Sequence, residues 1–154
     1  LPVVITHTMN VFGERQHPEK YIPGTIRKIL NNELVTVHSD ASRTKAGSRF
    51  YIHASSVAEA MLFLIKNGKN GEKYNIVGER EVDNLSLAWR LSEIISQPLR
   101  YEMVDFHSSR HGHDLRYGLD GTVMAELGWK PQLNFESALE RTVKWYLSNA
   151  KRWL

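Results

Sequence analysis

Ser109-Arg110-His111-Gly112-His113-Asp114-Leu115-Arg116-Tyr117-Gly118-Leu119-Asp120, closed by Leu127-Gly128-Trp129-Lys130-Pro131, is the stretch on which the reading of this chain turns. It crowds Arg110, His111, His113, Asp114 and Arg116 around one glycine, a density of polar groups that no ordinary core requires. Guanidinium and imidazole donors gathered in a loop suit an anionic ligand, because charge-assisted hydrogen bonds are stronger than neutral ones. Tyr117–Leu119 then reads as a short strand. Asp120 reads as the cap of a short helix that stops at Gly128, with Pro131 beyond it.

Downstream, Asn134 precedes Phe135, Ala138, Leu139, Thr142, Val143, Tyr146 and Leu147, an i, i+3, i+4, i+7 stripe that predicts an amphipathic helix. Upstream, Leu87, Leu91, Ile94 and Ile95 mark another helix, capped by Asp83 or Asn84 and ended before Pro98. Ser56 followed by Glu59 is a capping-box pattern ahead of a stripe ending at Gly68. Ile22, Ile26, Ile29 and Leu30 predict a helix over 20–31, with Pro23 tolerable in its first turn. Leu34–Val37, Phe50–Ile52, Tyr74–Val77 and Arg100–Val104 read as strands, and Asp40–Ser48 as a loop. Pro2–Thr6 is a β-branched apolar run, the habit of a strand buried on both faces of a parallel sheet. No partner for it is visible nearby, so it is expected to need a sheet from upstream, and its open edge to promote self-association. The fold class is α/β in a single unit over residues 1–154.

The chain has 154 residues, enough to bury roughly 70% of its unfolded surface. Its formal charge of +3 comes from 20 Lys and Arg scattered against 17 Asp and Glu, with no basic run. A nucleic-acid stripe is therefore not indicated. Cysteine is absent, which excludes disulfide and thiolate chemistry and fits a cytoplasmic protein. No apolar run reaches the length of a membrane span, so no membrane partner is expected. His107, His111 and His113 admit a zinc reading, but without cysteine it is the weaker one beside a plain loop.

The opening segment resembles the Arg-Pro-Gly-His-Asp-x-Arg-Tyr segment of dTDP-glucose 4,6-dehydratases, within the extended short-chain dehydrogenase/reductase superfamily. Thr8-Met9-Asn10-Val11-Phe12-Gly13 is similar to that group's Asn-x-Tyr-Gly segment. His17-Pro18-Glu19-Lys20-Tyr21-Ile22-Pro23 resembles its Phe-Pro-Glu-Lys-Leu-Ile-Pro. Gly71–Ile76, Phe135–Leu139 and Trp145–Leu147 also look like that group. The resemblance implies the last Rossmann-type strand plus a small α/β substrate-binding domain, with the NAD-binding Rossmann portion outside these residues. The sequence agrees in holding no G-x-G-x-x-G turn and no Tyr-x-x-x-Lys pair. No catalytic residue is assigned, and this chain alone is expected not to turn over.

The same resemblance implies a nucleotide-diphosphate sugar as ligand, NAD as cofactor of the intact enzyme, and the missing Rossmann half as partner; a homodimer is a further expectation. Arg49 and Arg110 would clamp the diphosphate, with Asn84 as a third donor unless it is simply a helix cap. Asn10, Glu19, Lys20 and Tyr21 would line the sugar and diphosphate side. Thr36, Val37 and His38 would lie against the base, and His113 would complete the loop. The reaction implied is 4,6-dehydration, with 4-epimerisation or a non-catalytic nucleotide-sugar-binding remnant as alternatives. Where the family has Arg-Asp-Trp and Tyr-Val-Asp-Asp, this chain has Arg49-Phe50-Tyr51 and His53-Ala54-Ser55-Ser56. Serine is expected to cap the following helix as well as aspartate does. Arg49 has a blander reading too, as an exposed strand residue paired with Asp40.

Overall fold

Apolar residues alternate along the strands and recur at helical spacing, and the computed structural model, which describes residues 1–106 and 114–154, shows how they meet. In chain order the elements are β1 (Ile5–Thr8), β2 (Asn10–Phe12), α1 (Tyr21–Leu30), β3 (Val35–Ser39), β4 (Ser48–His53), α2 (Ala54–Asn67), β5 (Lys73–Ile76), β6 (Glu81–Asp83), α3 (Asn84–Ile95), β7 (Tyr101–Asp105), β8 (Arg116–Tyr117), α4 (Thr122–Glu126) and α5 (Phe135–Trp153). The α/β class holds, and the pairings are mostly parallel: β1 with β5, β2 and β8 with β4, and β3 with β7. Among the described strand pairs, β4 with β6 runs antiparallel.

β4 organises the molecule. Its period-two alternation sends Tyr51 into one core and Ile52 into the other. The larger core joins α1, α3 and α5 over β3 and β4 through Ile26, Leu87, Leu91, Leu139 and Tyr146, all essentially solvent-free. Burying each such side chain is worth about 1.5–3 kcal/mol relative to exposure. The smaller core sets Val57, Ala60 and Leu64 of α2 against Tyr74 and Ile76 of β5, with Met124 and Trp129 closing it. Trp145 and Trp153 pack against the larger core, so these tryptophans are packing residues here.

Three local expectations are corrected. The first strand is not an orphan: it begins at Ile5 and pairs in parallel with β5, Ile5 opposite Lys73 through Thr8 opposite Ile76. Nor is it buried on both faces, for Ile5 and Val3 are largely exposed. The capping box at Ser56 does not form. His53 holds the N-cap position of α2 and accepts from the Ser55 amide, which starts the helix earlier and leaves Ser56 buried inside its first turn. β6 was not anticipated, since three residues between a turn and a helix cap carry no periodicity.

Candidate functional site

A tight strand-to-helix junction forms one side of a cleft. β6 feeds α3 through Asp83, whose carboxylate accepts from the Ser86 amide at 2.8 Å and so is the N-cap. That settles the choice between the two candidates: Asn84 is the first helical residue, and its side chain is not spent on capping. Instead Tyr51 Oη donates to Asn84 Oδ1 at 2.7 Å, while Tyr21 Oη donates to the Asn84 carbonyl at 2.6 Å. The two tyrosines arrive from β4 and from the start of α1. Burial pushes both phenols well above their ordinary value of 10.0, helped by neighbouring Asp83, so they remain protonated donors.

Arg49 stands two residues before Tyr51 on the same face of β4. Its Nη1 donates to the Ser48 and Leu115 carbonyls at 2.6 and 2.8 Å, and its Nη2 to the Asp114 carbonyl at 2.7 Å. It does not pair with Asp40, whose carboxylate accepts from Ser42 and from the Thr44 and Lys45 amides of its own loop. The Arg49 guanidinium thus pins residues 114–115 against β4. Arg116 adds a second pin through a bidentate contact to Glu81, at 2.9 and 2.8 Å, and Glu81 also accepts from Ser48. Those hydrogen bonds, with Arg116 first, hold the Glu81 carboxyl below the ordinary carboxylate range.

Between these groups lies a cleft of about 170 Å³, lined by Asn10, Tyr21, His38, Arg49, Tyr51 and Asn84, and closed by Gly47, Phe106, Asp114 and Leu115. A second hollow of about 210 Å³ adjoins it through Asn10, Tyr21 and Tyr51 and brings in Lys20. His38 meets Phe106 edge-to-face at 5.3 Å, giving the cleft one aromatic wall. A Cβ on Gly47 would sit 3.0 Å from the Leu115 carbonyl and 3.7 Å from Asn84 Nδ2, so glycine keeps this wall clear.

Six of the residues read from the sequence therefore gather here: Asn10, Lys20, Tyr21, His38, Arg49 and Asn84. Others do not. Val37 is wholly buried in the larger core because strand alternation turns it away from His38. Thr36 shares the His38 side of β3 but is held by Glu102 at 3.3 Å. Glu19 is exposed next to His17 and lines neither hollow. Arg110, His113 and the proposed histidine trio lie outside the described residues; among those described, no group of metal-ligating side chains is present. Sequence reasoning missed Tyr51, Gly47 and Phe106. Tyr51 was legible from Arg49, since residues two apart on a strand share a face.

The side chains of His53, Asp83 and Asn134 fill three of the helix N-caps, and among the described residues no Gly-rich turn opens a helix. Among the described residues no helix is long and apolar enough to cross a membrane.

Known proteins share this architecture. A dTDP-glucose 4,6-dehydratase of Haemophilus influenzae is 36% identical over 160 residues, covering 97% of this chain and 46% of that protein. The crystal structure of a dTDP-glucose 4,6-dehydratase from Bacillus anthracis, in complex with NAD, superposes with a TM-score of 0.85 at 30% identity, over 99% of this chain and 47% of that one. A UDP-glucose 4-epimerase from Thermotoga maritima, solved with UDP-glucose, gives 0.79 at 25% identity over 96% of this chain and 46% of that one. The chain spans about half the length of the curated relatives it matches. The model of the NAD dependent epimerase/dehydratase family matches residues 1–77, half of the sequence. The fold is that of an extended short-chain dehydrogenase/reductase, and the chain belongs to the NAD dependent epimerase/dehydratase family.

Proposed function

We propose that this chain is the substrate-binding portion of an NAD-dependent nucleotide-sugar 4,6-dehydratase, and that its cleft holds the diphosphate of a nucleotide-diphosphate sugar. The supporting observation is the meeting of the Arg49 guanidinium and the Asn84 amide in one cleft that also presents Tyr21 and Asn10. A diphosphate offers only acceptors, and a planar guanidinium beside a fixed amide matches it. Arg110 and His113 complete the donor set in this proposal. Asn10 and Lys20 face the sugar side, and His38 with Phe106 forms the wall for the base. Glu19 and Thr36 remain proposed at the rim, and Val37 contributes through its backbone alone.

The NAD-binding Rossmann portion is proposed to belong to the part of the relatives that this chain does not span. These residues bind and orient the sugar and exclude water; they supply no proton or hydride. The second reading, a 4-epimerase using the same cleft, is supported by the likeness in fold to the UDP-glucose 4-epimerase. The residues that separate the two reactions lie in the other portion.

Calorimetric titration tests the reading. The 154-residue chain is expected to bind dTDP or UDP saturably, and Arg49→Ala to weaken binding by about tenfold or more, since charge-assisted bonds are worth about 1.5–3 kcal/mol. Absence of saturable binding, or an affinity untouched by the substitution, would overturn it.

A further inference from the structure

Asn84 can present either its carbonyl or its NH2 to the cleft, and the two faces ask for opposite ligands. An amide side chain has one acceptor and two donors on the same short stem, and a rotation of half a turn exchanges them. What decides the matter here is Tyr51. Tyr51 is a buried residue, 6% exposed, and among the described residues Asn84 Oδ1 at 2.7 Å is the acceptor its proton has. A buried phenol without an acceptor is costly, so Tyr51 fixes the carbonyl inward. Tyr21 reinforces this from the other side by holding the Asn84 backbone carbonyl at 2.6 Å, which anchors the stem on which the amide turns. Asn84 Nδ2 is then left toward the cleft, 3.7 Å from the point where a Gly47 side chain would begin, and no hydrogen bond to it is formed among the described residues.

We infer that Tyr51, seconded by Tyr21, is a positioning residue that locks the Asn84 amide with its N–H groups facing the ligand, so that Asn84 offers the cleft donors and favours a diphosphate. The inference rests on the nucleotide-sugar reading given above. Neither tyrosine touches the ligand through this device; each acts through Asn84. The resulting donor pair, Arg49 and Asn84, comes from two elements that β4–β6 pairing holds side by side, Arg49 opposite Val82 in the antiparallel register. Removing the Tyr51 hydroxyl leaves the fold's apolar contacts intact but frees the amide to rotate.

The experiment uses the 154-residue chain with UDP and uridine as probes. Tyr51→Phe is expected to weaken UDP binding by about threefold to tenfold, the scale of one neutral hydrogen bond. Uridine, which has no phosphate, is expected to bind Tyr51→Phe and wild type alike, a split that general loosening of the fold would not produce. Asn84→Asp, which keeps an acceptor for Tyr51 but offers the ligand an anion, is expected to bind UDP more weakly than Asn84→Ala. Combining Tyr51→Phe with Asn84→Ala should add nothing to Asn84→Ala alone. In the ligand-free protein, Tyr51→Phe should shift and broaden the Asn84 side-chain amide resonances while the backbone resonances of α3 stay in place. Equal UDP affinity in Tyr51→Phe and wild type, additivity in the double variant, or Asn84→Asp binding as well as Asn84→Ala would overturn the lock. Unchanged amide resonances would overturn it without any ligand. A wild-type chain that binds no UDP while showing the amide change would instead sink the nucleotide-sugar reading and keep the lock.

Discussion

Asp83 and Asn84 divide two tasks at the start of one helix, and that division explains the candidate cleft at the scale of single residues. Aspartate takes the cap because its carboxylate reaches the Ser86 amide, and asparagine is thereby released to face Tyr51. His53 plays a comparable structural part at α2. Its Nδ1 accepts from the Ser55 amide at 3.1 Å, so its Nε2 carries the proton toward Glu14, 3.1 Å away, and Arg141 backs that carboxylate at 2.7 Å. Burial is the largest influence on His53 and lowers its pKa from the ordinary 6.5, against the opposing pull of Glu14. A base depressed in the folded state takes up its proton more readily when unfolded. Stability is therefore full above pH 6.5 and declines as pH falls below it, by at most about 1.4 kcal/mol per pH unit. Glu14, itself held below 4.5, begins to contribute only at more acid pH. Urea unfolding at pH 7.5 and 5.5 should show the decline in wild type and a flatter profile in His53→Asn, which keeps a capping oxygen without the titration. Equal pH dependence in the two proteins would contradict the assignment.

At the scale of elements, the long stripes were legible and the short strands were not. α5 follows its apolar spacing from Phe135 to Tyr146, and Asn134 caps it by accepting from Ser137 at 2.8 Å, as its sequence announced. α1 keeps Pro23 in its first turn, where the missing N–H costs nothing. The start of α2 was misread because a serine three residues before a glutamate mimics a capping box, whereas the histidine that caps it carries no such signature. β6 and β8 escaped or were misplaced because strands of three and two residues show no alternation and exist only through their pairing with β4. The cleft was half legible for the same reason. Arg49, Asn84, Tyr21 and Asn10 were named from family-like segments, but which face each residue presents is set by alternation along β4 and β3. That is why Val37 is turned from the cleft while its neighbour His38 faces it, and why Tyr51 shares the cleft with Arg49.

At the scale of the whole molecule, an apolar face is left uncovered by any element among the described residues. Pro2, Val4 and Thr6 beside β1 meet Met61, Leu64 and Ile65 of α2 around one open groove. Nearby Leu62 and Ile65 are 64% and 79% exposed. β1 spends one edge on β5, and its other edge has no strand partner among the described residues. Such a face seeks cover, and in the isolated chain a second copy is its expected occupant. Light scattering should report association that falls toward monomer in Leu62→Lys/Ile65→Lys; a wild-type monomer at all concentrations would refute this. The face lies apart from the cleft, whose lining residues it does not share. The claim on which the account depends is the arrival of a pyrophosphate between Arg49 and Asn84, and a crystal structure of the chain grown with UDP measures it most directly. The account predicts phosphate oxygens within about 2.7–3.1 Å of the Arg49 guanidinium and of Asn84 Nδ2, with Arg110 reaching the same group. A diphosphate bound on another face, or Arg110 turned away from this cleft, would contradict it.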